Sequence, residues 1–177
     1  MDATRIIAIR HGETAWNVDS RLQGHLDIPL NDVGLWQARR AALALADEPI
    51  DAIYSSDLQR AWVTAQAIAE TTQAPLAAHQ GLRERSFGVL QGHTFEELEA
   101  KEPEQAYRWR KRDHAFAPEG GESLIALRER ITATTHALAA QHVGGQIVLV
   151  AHGGVMDVGT VCRMSRSLLM GGQNMMD

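Results

Sequence analysis

The apolar and polar positions of the chain alternate short apolar runs with longer amphipathic segments. Apolar runs at residues 4–9, 52–54, 76–78 and 147–150 are short enough to predict β-strands rather than helices. The last run, Ile147 to Val150, is unbroken and rich in β-branched residues, which is typical of a strand buried on both faces.

The segments between these runs have the spacing of amphipathic helices. Asn31 is predicted to cap a first helix, whose apolar face comprises Val33, Leu35, Ala38, Ala42 and Leu45. Ser56 is predicted to cap a second helix, with Leu58, Ala61, Ala65 and Ile68 on one face. Residues 94–111 predict one polar helix, and Ser123 is predicted to cap a long helix with Leu124, Leu127, Ile131 and Leu138 on one side. Strands alternating with helices in this way predict an α/β fold with a mostly parallel sheet.

Composition narrows the class of protein. A chain of 177 residues, with 45% hydrophobic and 22% charged residues, predicts one globular domain spanning residues 1–177. The net charge of −5 argues against a nucleic-acid partner, whereas locally dense arginines suit a small anionic ligand. A single cysteine, Cys162, is typical of a cytoplasmic protein, and no apolar run is long enough to span a membrane. We expect a monomer or a homodimer.

Two predicted strands lead into a histidine, as Ile9-Arg10-His11 and Val150-Ala151-His152. His11 follows the run at residues 4–9, and His152 follows the run at residues 147–150. Ligands of parallel sheets bind beyond the carboxyl ends of the strands, so both histidines are expected at one site. If Ser56 caps its helix, Arg60 lies in the first turn, where the helix dipole favours anions. Each residue taken singly also fits an ordinary structural role, such as an exposed helix arginine.

Four sequence blocks occur together in a fixed order. They are Arg10-His11-Gly12-Glu13-Thr14 with Asn17, Ser56-Asp57-Leu58-Gln59-Arg60-Ala61 with Thr64-Ala65, Leu82-Arg83-Glu84, and Ala151-His152-Gly153-Gly154-Val155. In this order, from about residue 4 to residue 156, the chain resembles the histidine phosphatase superfamily, the phosphoglycerate mutase-like group. The resemblance implies a three-layer α/β/α fold.

The resemblance also implies a role for each matching residue. His11 would be the nucleophile that forms a phosphohistidine, with its other ring nitrogen donating to a backbone carbonyl. Glu84 would be the proton donor, and Arg10, Arg60 and His152 would surround the phosphoryl oxygens. Substrate contacts would come from Asn17, Gln23, Gly24 and Gly153. No metal is implied, and the other histidines (His25, His79, His93, His114, His136 and His142) are interpreted as structural or solvent-facing.

The same residues serve more than one activity. The segment after Glu84 looks like that of the phosphatase branch, which favours hydrolysis of a small phosphorylated metabolite. The alternative is a phosphoglycerate mutase (an isomerase), the only case in which 2,3-bisphosphoglycerate would be a cofactor. The cluster Arg108, Arg110, Lys111 and Arg112 is interpreted as the solvated face of a polar helix, although it could bind a second anionic group. A non-catalytic phosphate-binding protein is a further alternative, but such a protein would be expected to lack the nucleophile or the proton donor.

The last part of the sequence departs from the pattern. From about residue 156 the chain is rich in methionine and glycine and has no alternating strand pattern. We therefore expect an atypical tail, a truncated or frame-altered end, and an incomplete C-terminal edge of the sheet. An unpaired edge strand promotes association between chains.

Overall fold

The computed structural model describes residues 3–159. Its strands are β1 Arg5–Arg10, β2 Ala52–Ser55, β3 Leu76–Ala78 and β4 Gln146–Ala151. Its α-helices are α1 Ala15–Val18, α2 Asp32–Ala44, α3 Gln59–Thr72, α4 Phe95–Lys101, α5 Pro103–Arg110, α6 Leu124–Ala139 and α7 Gly153–Gly159. Short 3₁₀ turns lie at Gln80–Leu82, Gly88–Leu90 and Ala140–His142.

The four strands of the described residues form one parallel sheet in the order β1-β4-β2-β3. All six residues of β4 are buried, as its unbroken apolar sequence predicts for a strand with neighbours on both sides and helices on both faces. Because β1, β4 and β2 run in the same direction, their carboxyl ends lie together at one edge of the sheet. The predicted α/β fold with a mostly parallel sheet is confirmed.

Helices cover both faces of the sheet. On one face, α2 and α3 pack against Ile7, Ile53, Val148 and Val150. On the other face, α6 and α7 pack against Ala52, Ile147, Leu149 and Ala151. These two apolar layers make the three-layer α/β/α arrangement. A smaller cluster of Leu90, Leu98 and Ala106 joins α4 and α5 to the rest of the domain.

Two helix boundaries differ from the sequence prediction. Ser56 does not cap α3, because the helix begins only at Gln59 and the Ser56 hydroxyl oxygen accepts the Leu58 N–H at 3.3 Å, before the first turn. The Ser56 N–H donates to Val150 O at 3.0 Å and so continues the sheet ladder. The N-cap is Leu58, without a side-chain hydrogen bond, and Arg60 is still in the first turn. The predicted helix at residues 94–111 is two helices, because Pro103 has no N–H to donate and begins α5 as its first residue.

The predicted apolar faces are largely buried, with one exception. Ala38, Ala42 and Leu45 of the first helix lie in the core, whereas Val33 is 48% exposed. Asn31 and Ser123 cap their helices as predicted, each accepting a backbone N–H from three residues ahead.

Most of the atypical tail lies outside the described residues. Residues 156–159 continue α7, and the predicted incomplete sheet edge concerns residues beyond these. Within residues 3–159, no helix is long and apolar enough to cross a membrane.

Candidate active site

The two histidines that follow strands lie side by side. β1 and β4 are adjacent and parallel, and the His11 N–H extends their ladder by donating to Ala151 O at 3.0 Å. The ring centroids of His11 and His152 are 5.1 Å apart. The sheet order therefore brings together two residues that are 141 positions apart in the sequence.

The His11 ring is held in one tautomer. Its Nδ1 lies 2.6 Å from the carbonyl oxygen of Gly12, and since a carbonyl can only accept, Nδ1 carries the proton. The lone pair is then on Nε2. Burial, with the positive charges of Arg60 and Arg10, lowers the pKa of His11 from 6.5 to about 3, so the imidazole is neutral at physiological pH.

The loop that carries His11 is packed tightly against two helices. The Gly12 N–H donates to Oγ1 of Thr64 at 3.2 Å, and the Thr64 hydroxyl donates to Arg60 O at 2.8 Å. A Cβ atom on Gly12 would collide with the backbone of Gly34 in α2. Glycine is therefore required for this close approach, and α2 and α3 both fix the position of His11.

Arg60 is almost fully buried, at 1% exposed. Its guanidinium donates to Leu26 O at 2.9 Å and to Gly24 O at 2.8 Å, and its Nε has no partner within the described residues. Burial lowers the pKa of Arg60 to about 10, which still leaves the group cationic at neutral pH. Gly24 has a φ of +52°, and a side chain there would collide with Gln91, so a glycine is needed to present its carbonyl.

Glu84 is a buried carboxyl group. Its Oε1 accepts the Arg85 N–H at 2.8 Å and its Oε2 accepts the Gly154 N–H at 3.0 Å. Burial raises the pKa of Glu84, although these two backbone donors and the charges of Arg60 and Arg10 oppose the shift. A carboxyl with a raised pKa is suited to donate a proton near neutral pH.

His152 is fully buried against His11. Neither of its ring nitrogens has a hydrogen-bond partner within the described residues. Burial, and after it the positive charges of Arg60 and Arg10, lowers the pKa of His152 well below 6.5. An unpaired buried polar group costs about 1–3 kcal/mol, so a ligand oxygen would relieve this cost.

One cavity collects most of the predicted site residues. It is lined by Arg10, His11, Asn17, Arg21, Leu22, Gln23, Gly24, Arg60, Glu84 and Phe87. Of the remaining predicted residues, His152 has its ring centroid 5.1 Å from that of His11, and Gly153 packs on Arg10, where a Cβ atom on Gly153 would be 3.5 Å from Cζ of Arg10. Arg21, Leu22 and Phe87 line the cavity without having been predicted.

The amides of Asn17 and Gln23 are oriented by Thr14, which is buried. The Thr14 N–H donates to Asn17 Oδ1 at 3.0 Å, and the Thr14 hydroxyl donates its one proton to Gln23 Oε1 at 2.9 Å. With the amide oxygens held by Thr14, the NH₂ groups of both residues are the donors left for a ligand. Thr14 is part of the first sequence block, but its hydroxyl was not predicted to contribute to the site.

The basic cluster of α5 and the following turn lies on the surface, paired with acids. Arg108 bonds Asp113 at 2.7 Å and Arg110 bonds Glu99 at 3.3 Å. Arg112 lies 3.7 Å from Asp157. The positive charges of these three arginines are thus compensated by neighbouring acidic side chains.

His25 has a structural role next to the site. It lies in the loop after Gly24, half-buried, and its Nε2 donates to the carbonyl of Glu84 at 2.8 Å. A contact between residues 59 positions apart leaves no local sequence signal, so only the fold reveals it. Across residues 3–159, no group of three or more histidine, cysteine or acidic side chains is arranged to hold a metal ion.

Comparison with known proteins places this geometry among phosphoryl-transfer enzymes. The sequence profile described as the histidine phosphatase superfamily (branch 1) matches residues 6–168, and so extends past residue 156, where the blocks described above end. Phosphoglycerate mutase-like protein 4 of Arabidopsis thaliana is 42% identical over 160 residues, covering 88% of this chain and 69% of the relative. Metal-independent phosphoserine phosphatase of Arabidopsis thaliana is 41% identical, covering 88% of this chain and 66% of the relative.

Solved structures of phosphatases are also similar to this chain. A mycobacterial glucosyl-3-phosphoglycerate phosphatase in complex with VO3 superimposes with a TM-score of 0.82 at 37% sequence identity. The match covers 89% of this chain and 78% of that chain.

Proposed function

The chain belongs to the histidine phosphatase superfamily, and we propose that it is a metal-independent phosphomonoester hydrolase that acts through a phosphohistidine at His11. The observation that carries the proposal is the state of the His11 ring. Nδ1 is committed to Gly12 O, the ring is neutral, and Nε2 is left as a nucleophile in a cavity shared with Arg10, Arg60 and Glu84.

The proposed reaction has two steps. Nε2 of His11 forms a bond to phosphorus while the bond from phosphorus to the ester oxygen breaks, and the Glu84 carboxyl gives its proton to that oxygen. The Glu84 carboxylate then takes a proton from water, whose oxygen bonds to phosphorus while the bond from phosphorus to Nε2 breaks, which releases inorganic phosphate and restores the neutral His11 ring. The raised pKa of Glu84 suits both the acid and the base step.

The phosphoryl oxygens would be held by the groups that surround His11. Three of the five buried side-chain polar atoms that lack a partner in the described residues belong to Arg60 and His152. Phosphoryl transfer depends mainly on positioning and on stabilising the charge of these oxygens, so donors already in place lower the barrier. Arg10 and the NH₂ groups of Asn17 and Gln23 would complete the ring of donors.

Hydrolysis is favoured over mutase activity. A mutase must hold a second anionic group and keep water from the phosphohistidine, whereas the charges of Arg108, Arg110 and Arg112 are paired with acids at the surface. A coupled assay with 3-phosphoglycerate, with and without 2,3-bisphosphoglycerate, tests this choice. We expect phosphate release without isomerisation; net isomerisation would overturn the choice of phosphatase.

The finer properties follow from the same proposal. The substrate would be a small phosphorylated metabolite, the class to which the phosphoserine and glucosyl-3-phosphoglycerate named for the relatives belong. We expect no cofactor for hydrolysis, no nucleic-acid or membrane partner, a cytoplasmic location, and a monomer or homodimer. A non-catalytic phosphate-binding role is disfavoured because the proposed nucleophile and proton donor are both present and face one cavity.

His11→Ala is the direct test of the proposed function. The wild-type protein is expected to hydrolyse an aryl phosphate in the presence of a chelator, and to yield acid-labile phosphate on rapid quenching. The variant should lose turnover and labelling together, by about 10⁴-fold or more, because His11 is the one histidine among the described residues that line the cavity. Retained turnover in the variant, or loss of wild-type activity in chelator, would contradict the proposal.

A further inference from the structure

Arg130, in the second turn of α6, donates hydrogen bonds to other protein groups from all three nitrogens of its guanidinium. Its Nε and Nη2 bond the carboxylate of Glu122 at 2.9 and 2.7 Å. Its Nη1 donates to Gly81 O at 2.9 Å and Arg83 O at 3.0 Å, and its Nη2 donates to Glu84 O at 3.2 Å. Five hydrogen bonds match the five N–H donors of an arginine, so the side chain has one orientation.

The three carbonyls belong to a single short stretch of chain, residues 81–84, which ends at Glu84. This stretch connects the 3₁₀ turn Gln80–Leu82 to the loop that precedes the next turn, and it has no partner strand within the described residues. Arg130 therefore supplies this stretch with hydrogen-bond donors for its carbonyls, which a neighbouring strand would otherwise supply. The Glu122 carboxylate, 17% exposed, fixes the guanidinium from the opposite side.

Hydrogen bonds consequently fix both the backbone carbonyl and the side-chain carboxyl of Glu84. Its carbonyl accepts from Nη2 of Arg130 and from Nε2 of His25 at 2.8 Å. Its carboxylate oxygens are fixed by the N–H groups of Arg85 and Gly154. A shift of about 1 Å in a catalytic group can cost about 100-fold in rate, so the anchoring of this backbone bears directly on proton transfer.

We propose that Arg130 is a positioning residue for the proton donor: by bonding the carbonyls of residues 81, 83 and 84, it sets the place of the Glu84 carboxyl relative to the leaving oxygen. The inference rests on the proposed function, in which Glu84 protonates that oxygen. Arg130 itself does not line the cavity of His11, so its effect on the reaction is exerted through Glu84.

A comparison of leaving groups separates positioning from general stabilisation. We would measure kcat/KM for an aryl and an alkyl phosphate in the wild type, Arg130→Lys and Arg130→Gln. The constant kcat/KM reports the first phosphoryl transfer, in which an alkoxide needs a proton and a nitrophenolate does not. Arg128→Gln is the matched control, since Arg128 is exposed on the same helix.

If Arg130 positions Glu84, Arg130→Gln should lower kcat/KM for the alkyl ester about 30-fold and for the aryl ester about fivefold or less, because the variant loses part of the roughly 10²–10⁴-fold that acid catalysis contributes. Arg130→Lys keeps the charge but not the fork, and should show the same selective loss to a smaller degree. Arg128→Gln should leave both constants unchanged.

Equal losses on both esters in a folded variant would overturn the positioning role and leave only a structural one. Circular dichroism establishes folding, and Arg130→Lys decides the question if Arg130→Gln does not fold. A wild-type protein that hydrolyses neither ester would refute the proposed function instead. If the wild type is active and Arg130→Lys has the same ratio of alkyl to aryl kcat/KM as the wild type, this inference alone is refuted.

Discussion

At the scale of single residues, the proposed chemistry depends on two groups whose pKa values are shifted by burial, His11 downward and Glu84 upward. Burial, Arg60 and Arg10 keep His11 neutral, and burial raises the pKa of Glu84. His11 is thereby a nucleophile at neutral pH, and Glu84 stays protonated at a higher pH than an ordinary carboxyl. Burial therefore supports both the attack by a neutral imidazole and the proton donation by Glu84.

Glu84→Gln tests the donor role directly. The amide keeps the shape of the side chain but has no acidic proton to transfer to the leaving oxygen. We expect kcat/KM to fall by about 10²–10⁴ for an alkyl phosphate and by much less for a nitrophenyl phosphate. Equal losses on both esters would exclude Glu84 as the acid.

The raised pKa of Glu84 also predicts a pH dependence. The donor form is the protonated carboxyl, so kcat/KM for an alkyl ester should decline as pH rises through the raised pKa, above the ordinary value of 4.5. The aryl ester should show less of this decline. In Glu84→Gln the descending limb for the alkyl ester should disappear; its persistence would assign that limb to another group.

The pKa of His11 has a consequence for stability. Because the folded-state pKa of about 3 lies below the ordinary value of 6.5, the unfolded chain binds an extra proton between these values. The contribution of His11 to folding stability is therefore present above about pH 6.5 and is lost as pH falls toward 3. Denaturant unfolding at pH 7 and pH 5 should show a smaller loss of stability in His11→Asn than in the wild type; identical losses would contradict the shift.

At the scale of elements, the site depends on helices that approach the catalytic loop more closely than a side chain would allow. Gly34, near the start of α2, is buried, and a Cβ atom added at this position would collide with the backbone of Glu13. Glycine is otherwise a poor helix former, by about 0.8–1.0 kcal/mol relative to alanine. Its presence here is explained by this contact with the loop that carries His11.

Gly34→Ala reverses the usual sign of a glycine-to-alanine change in a helix. Better helix propensity should stabilise, but the collision with Glu13 should displace α2 or the loop, so we expect a lower free energy of unfolding and a lower kcat. Arg40→Ala, at an exposed position of the same helix, should leave both nearly unchanged. A Gly34→Ala protein as stable and active as the wild type would show that α2 does not constrain the loop.

At the scale of the whole molecule, the sheet and its two helical layers assemble a cluster of cationic and unpaired polar groups before any ligand is bound. Arg10 and Arg60 approach His11 from different elements, and the ring nitrogens of His152 are unpaired within the described residues. An anion that binds only the folded chain must stabilise it by mass action.

Inorganic phosphate should therefore raise the Tm of the wild-type protein. At 100 times its Kd, the ligand would add about 2.7 kcal/mol to the free energy of unfolding. Chloride at equal ionic strength should not have this effect. Arg10→Gln should abolish most of the shift, while Arg39→Gln, exposed on α2, should retain it. A shift that survives in Arg10→Gln would place the binding elsewhere.

Local sequence patterns determined the strands and the helix caps, which depend on interactions between residues close together in the chain. The strand before His11, the buried strand before His152, and the caps at Asn31 and Ser123 could be predicted because hydrophobic periodicity and capping act over a few residues. Two helix boundaries were predicted wrongly. The ladder of strand β2 extends as far as Ser56, so that α3 begins only at Gln59, and Pro103 divides the polar segment into two helices.

The candidate site was predictable as a set of residues, through the four sequence blocks, but not as a working arrangement. Which ring nitrogen of His11 holds the proton, and how the charge of Glu84 is controlled, follow from burial and from partners distant in sequence. The contacts of His25 and Arg130 with the Glu84 carbonyl span 59 and 46 positions. Only the tertiary structure could decide these features, because solvation and hydrogen bonding between distant segments exist only once the chain has folded.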